Sequence, residues 1–151
     1  MTRYVLLPWL ALSALSAAGL ATSSYLVYSH YADRPTVCAG IGSCEFVQTS
    51  EYSEVMGVPV ALMGLAFFVG LAALCATRLA LGARVGGWAN PLVFSMTLGG
   101  TAFVGYLTYV ELFVIDAICV WCVATAGITA ASFAASVWAV AISGDANFEE
   151  E

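Results

Sequence analysis

The chain is 151 residues long, 62 % hydrophobic and 9 % charged, with a net charge of −6. Soluble globular chains hold about 45–50 % apolar and about 25 % charged residues, because water must wet their surface, so an ordinary water-soluble domain is excluded. Four arginines, no lysine and ten acids also argue against nucleic acid and acidic lipid headgroups as partners.

A helix crossing a hydrocarbon core of ~30 Å needs about 20 apolar residues at 1.5 Å each. In chain order, Tyr4 to Tyr28 is uncharged, as are Val58 to Thr77, Pro91 to Val110 and Ala117 to Ser143. Backbone amides find no water in lipid, so each run should be helical, and the alternation that a β-barrel needs is missing. We therefore predict an all-α, four-helix membrane bundle forming one domain over 1–151, with spans at about 4–29, 58–77, 91–110 and 117–143. Residues 30–57 form a long loop, and Gly82 to Pro91 reads as the turn between spans two and three. Ala14, Ala18, Gly64, Gly99, Gly100, Gly105 and Gly127 read as positions where helix backbones approach closely. Arg3 followed by Ser16-Ala17-Ala18 resembles a cleavable export signal, but the apolar run continues to Tyr28, beyond the ~7–15 residues of a signal core.

Arg3 precedes span one, and Arg78 and Arg84 lie between spans two and three. Positive charge near spans is retained in the cytoplasm, so both segments and both termini are expected there. Arg34 among Asp33, Glu45, Glu51 and Glu54, and the turn with Glu111 and Asp116, are expected on the opposite side. The acidic tail Glu149-Glu150-Glu151 reads as a solvated cytoplasmic end.

Two cysteine pairs carry the chemistry. Cys38 and Cys44 lie in the long loop, and Cys119 and Cys122 form a Cys-x-x-Cys at the start of span four. The arginine-based topology puts both pairs on one non-cytoplasmic side, where disulfides can form. Two structural disulfides in a non-enzymatic tetraspan scaffold are one reading. Against it, Asp116 is placed to cap span four, making Ala117, Ile118 and Cys119 its first helical residues. Cys119 then sits at the positive pole of a helix, which lowers a thiol pKa, while the charge of Asp116 opposes that shift. Cys122 follows at i+3 on the same face, about 4.5 Å deeper. A reactive thiol at the water boundary with a second one a turn deeper suits electron transfer from an aqueous donor to a lipid-soluble acceptor. The cysteine spacing, with only His30 nearby, is a weak metal pattern, and no metal is expected.

Cys75 has no partner by sequence and reads as a small buried hydrophobe. His30, at the end of span one, reads as a solvated histidine with proton shuttling as the functional alternative. Trp9, Trp88 and Trp138 read as anchors in the aromatic belt, and Trp121 is a candidate to pack on a planar ligand.

Taken together, Cys38-x5-Cys44, Ser50-Glu51-Tyr52-Ser53, Gly57-Val58-Pro59-Val60-Ala61-Leu62-Met63-Gly64, and the stretch from Tyr106-Leu107-x-Tyr109-x-Glu111-Leu112 through Ile115-x-Ala117 to Cys119-x-x-Cys122 resemble the bacterial branch of the vitamin K epoxide reductase family. The resemblance implies a four-helix bundle around a quinone, which is menaquinone, ubiquinone or a phylloquinone type. It also implies that Cys38 and Cys44 form a shuttle pair and that Cys119 and Cys122 form the quinone-reducing pair. Cys122 would then face the quinone and Cys119 would exchange with the loop, while Ser50 matches a serine of the family associated with the site. Vertebrate relatives carry a tyrosine four residues after the second active-site cysteine, where this chain has Ala126, so a quinone oxygen needs another donor and vitamin K epoxide is a doubtful substrate. Many bacterial relatives continue into a thioredoxin-like domain. In its absence, a separate thioredoxin-fold protein outside the cytoplasm is the expected partner, and the quinone pool of the plasma membrane the expected electron sink.

Overall fold

A computed structural model of the chain describes residues 2–32, 36–38 and 43–148. Helix α1 (Thr2–Tyr31) is followed by the loop, which carries the short helix α2 (Cys44–Gln48), a 3₁₀ turn (Glu51–Ser53) and a two-stranded hairpin of β1 (Glu54–Val55) and β2 (Val58–Pro59). Helix α3 (Val60–Leu81), a 3₁₀ turn (Gly82–Val85), α4 (Gly86–Phe113) and α5 (Val120–Phe148) complete the chain. Four helices are long and apolar enough to cross a membrane, Tyr4–Tyr31, Val60–Leu81, Gly86–Phe113 and Val120–Ser143. The protein is a four-helix membrane bundle. Asp33, Arg34 and the tail Glu149 to Glu151, used above for orientation and as a solvated end, lie outside the described residues.

Helix α1 packs on α3 and α5, and α5 also packs on α4. Gly19 sets the first of these approaches, because a Cβ there would collide with the ring of Phe68, which is fully buried. Between α4 and α5 the hydroxyls of Thr97 and Ser136, both 0 % exposed, share a hydrogen bond of 2.8 Å. Such a bond suits a bundle in lipid, where neighbouring helices gain little from the hydrophobic effect. Of the small residues read as packing positions, Gly100 fits that role, since a Cβ there would lie 2.7 Å from the Phe67 ring. Gly99, Gly105 and Gly127 would meet nothing within 4 Å.

Three expectations change. The turn between spans two and three is limited to Gly82–Val85, with Gly82 at φ 59°, and Pro91 lies inside α4. As the sixth residue of the helix, Pro91 leaves the Gly87 carbonyl without its i+4 donor, and the helix continues through it. The last helix starts at Val120 instead of residue 117. Asp116 does not cap it. Asp116 takes φ 51°, a left-handed conformation that Asp tolerates better than most residues, and Ala117 N–H bonds back to Glu111 O at 3.1 Å. Trp9 is not a belt anchor, being 0 % exposed in the core, whereas Trp88 and Trp138 are exposed as expected.

The Trp9 ring lies beneath Arg78, whose guanidinium carbon is 5.5 Å from the ring centroid. Arg78 is itself buried, and its Nε has no hydrogen-bond partner among the described residues. A desolvated cation–π contact contributes about 2 kcal/mol, less than the several kcal/mol that burying an ion costs.

Candidate active site

The loop is held down at both of its cysteines. Val37, next to Cys38, donates its N–H to the Tyr25 hydroxyl at 3.1 Å and accepts the Trp121 indole N–H at 2.9 Å. The Tyr25 and Trp121 rings stack with centroids 4.8 Å apart, so α1 and α5 together grip one residue of the loop. On the other side, Ser43 N–H bonds to Ile118 O at 3.0 Å, placing Cys44 beside Cys119. This bond occupies the backbone just ahead of Cys119, which explains why residues 117–119 stay out of the helix.

Cys38 and Cys44 form a disulfide, while Cys119 and Cys122 are thiols. All four belong to one packed cluster with Val47, in which Cys44 and Cys119 are buried and Cys38 is partly exposed. Cys119 occupies the cap position of α5, its carbonyl accepting the N–H of Val123 at 3.0 Å, and Cys122 sits in the first turn. The Cys119 thiol is pushed below its ordinary pKa, first by a hydrogen bond from Cys122 and further by the amides of Cys122 and Trp121. Burial and the charge of Glu111 oppose this. The direction agrees with the sequence reading, but the opposing carboxylate is Glu111.

Sequence reasoning treated Glu111 as a loop charge. It is 5 % exposed near the end of α4, within hydrogen-bonding reach of the Cys122 thiol and the Cys119 amide. A glutamate flanked by Tyr109, Leu112 and Phe113, one residue past the predicted end of a span, was the available signal.

Cys122 and Glu111 open onto a cavity of about 330 Å³ between the four long helices, in the half of the bundle that carries the loop. Its wall is formed largely by apolar groups such as Val60, Phe67, Phe103 and Leu107, and its volume falls in the range of small-molecule sites. Ser50 lines it, but the Ser50 proton is donated to Val47 O at 2.7 Å. Thr108, Thr125 and Thr129 likewise donate to backbone carbonyls. Ser23 differs. It is 2 % exposed, lines the cavity facing Gly64, and its hydroxyl makes no hydrogen bond among the described residues. Ala126 is also in the wall. Trp121 is not among the lining residues; its ring lies on Tyr25 and its N–H is spent on the loop. His30 reaches the cavity from its outer rim, 4.0 Å from Glu54. Among the described residues, no group of three His, Cys, Asp or Glu side chains could hold a metal ion.

A family model for the vitamin K epoxide reductase family matches residues 10–137, most of the chain. The chain belongs to that family. Vitamin K epoxide reductase family proteins are membrane oxidoreductases acting on thiols and disulfides, and they use quinones as electron carriers in general. The matched stretch includes all four clustered cysteines and the whole cavity wall.

The cavity residues fit such a group. Apolar walls suit a flat ring, and Ser23 offers one free donor to a ring oxygen where Ala126 offers none. Cys122 supplies the only thiol among the lining residues.

Proposed function

We propose that this protein is a quinone-coupled thiol-disulfide oxidoreductase that reoxidises a separate thioredoxin-fold protein outside the cytoplasm. It thereby drives disulfide formation in exported proteins. The observation that carries this reading is the packing of both cysteine pairs into one cluster whose inner thiol, Cys122, opens on an apolar cavity. A scaffold whose disulfides only stiffen its loop has no use for that continuity. The arginine distribution supports a plasma-membrane protein with both termini in the cytoplasm and the cysteine cluster outside.

Burial supports a division of roles among the four cysteines. A partner thiolate attacks Cys38, the more exposed sulfur, and Cys44 leaves as a thiolate facing Cys119. Exchange then proceeds by attack of Cys44 on the Cys119–Cys122 disulfide, forming a Cys44–Cys119 bond and releasing Cys122. The second partner thiol frees Cys38, which attacks Cys44, re-forms the loop disulfide and expels Cys119. The low pKa of Cys119 makes it a good leaving group in that last step. Two electrons have moved from the partner to the inner pair, and the partner has become a disulfide. Glu111 stands within hydrogen-bonding reach of the Cys122 thiol as a base for its proton once Cys119 releases it, and His30 stands at the cavity rim. A quinone held by the cavity residues would supply the electron sink, and the Cys119 and Cys122 thiols would close to a disulfide as they give up two electrons and two protons.

Mass spectrometry of lipid extracted from the purified protein tests the cofactor. A stoichiometric menaquinone, ubiquinone or phylloquinone-type quinone supports the reading. Its absence, together with inability to reoxidise a reduced thioredoxin-fold protein when quinone is added, would favour the scaffold.

A further inference from the structure

At the end of the bundle opposite the cysteines, Arg78 lies flat against the start of α4. Its Nη2, Cζ and Nε come within 3.5–3.8 Å of where a Cβ of Gly86 would be. The residue is only 6 % exposed, its Nε has no partner, and the guanidinium makes no ion pair among the described residues. The indole N–H of Trp9, whose ring it overlies, is a second buried donor without a partner. Arginine and indole are donor-only groups, so Arg78 Nε and the Trp9 indole each leave a buried N–H without an acceptor among the described residues.

The start of α4 adds to the same demand. α4 follows the 3₁₀ turn Gly82–Val85 without a break, and its start carries the positive end of the helix dipole. Here no side chain caps the helix, and its first turn contains no acid. Gly87 would meet nothing within 4 Å if it carried a Cβ, so the backbone beside Arg78 is open to a ligand. A buried unpaired guanidinium aimed at an uncapped helix N-terminus with an open glycine is an anion site.

We propose that Arg78 and the N-terminus of α4 bind a phosphate oxyanion, either from a phospholipid headgroup or from solution. The position favours the headgroup source: Arg78 lies three residues before the end of α3, and Trp88, in the first turn of α4, is exposed as interface aromatics are. The net charge of −6 speaks against a broad attraction to acidic lipid, but not against one buried arginine meeting one phosphate.

The test is thermal unfolding of the full chain in phosphate-free buffer, in micelles doped with phosphatidylcholine or with digalactosyldiacylglycerol of matched acyl chains. Phosphatidylcholine should raise the midpoint of the wild type by about 5 °C relative to the phosphate-free lipid, and Arg78→Gln should lose this difference. Gly87→Asp, which places a carboxylate at the open position, should also abolish the dependence, so the test survives if Arg78→Gln fails to fold. Inorganic phosphate added to the glycolipid micelles distinguishes the sources: a rise equal to that from phosphatidylcholine assigns the site to free phosphate, and no rise assigns it to the headgroup. Equal midpoints in the two lipids, or an unchanged lipid dependence in both variants, would overturn the proposal.

Discussion

Trp121 donates its indole N–H to the carbonyl of Val37 at 2.9 Å, so the residue between the two Cys-x-x-Cys sulfurs holds the backbone next to the loop disulfide. One side chain thus ties the register of the loop to that of α5. Trp121→Phe keeps the ring on Tyr25 and removes the bond. The expected outcome is a loss of about 1 kcal/mol of stability and a several-fold faster alkylation of Cys44 after mild reduction, measured by peptide mapping. Unchanged alkylation would show that the loop is held elsewhere.

The buried contact between Cys44 and Cys119 predicts which mixed disulfide can be trapped. In Cys122→Ala, Cys119 can pair with Cys44 and only Cys38 can resolve the bond, so a Cys44–Cys119 disulfide should accumulate once Cys38→Ala is combined with it. Cys119→Ala should form none. Mapping under non-reducing conditions reads both variants, and a bond between Cys122 and the loop in Cys119→Ala would exchange the roles of the two cysteines. Each of the four clustered cysteines should be required for partner reoxidation. Cys75 is buried among Trp9, Phe68 and Leu71, remote from the cluster, so Cys75→Ser should leave that activity unchanged.

Glu111 faces Cys119 with a charge that raises the thiol pKa, against the lowering that Cys122 and the helix amides impose. The net pKa is below the ordinary value, so thiolate is present at lower pH than for a free cysteine of pKa about 8.5. Removing the opposing charge must move the titration further down. Glu111→Gln should therefore alkylate at Cys119 with a lower pH midpoint than the wild type, while transfer of electrons out of the thiol pair slows because the proton on Cys122 loses its acceptor. A midpoint shifted upward would contradict the placement of the carboxylate.

Ser23 is a free donor deep in a cavity whose threonine hydroxyls are committed to backbone. Ser23→Ala should weaken retention of added quinone about tenfold, the value of one hydrogen bond, in an equilibrium binding measurement. Loop exchange with Cys119 should be unaffected. Undiminished retention would assign the donor to another residue.

The four spans were legible because uncharged runs of this length have one solution in lipid, and the cysteine spacing pointed to the exchange chemistry. Boundaries were less so. The start of α5 depends on a backbone bond from Ser43, 75 residues earlier in sequence than Ile118, and local capping rules pointed to Asp116 instead. Trp9 read as a belt anchor and Arg78 as a charge between spans two and three, because sequence gives depth along a helix and not its facing; Arg78 lies inside α3 and the core claimed both. Glu111 and Ser23 were hidden for the same reason, since each matters through what α5 and α3 bring to it. Gly19 was passed over among many small residues because only the Phe68 ring opposite makes it necessary.

The most direct measurement follows the absorbance of quinone bound to the purified protein while a reduced thioredoxin-fold protein is added under anaerobic conditions. The account predicts that oxidised quinone disappears in step with partner thiols, one quinone for two thiols, in the wild type, and that Cys122→Ala shows no change. Complete oxidation of partner thiols with the quinone spectrum unaltered would contradict it.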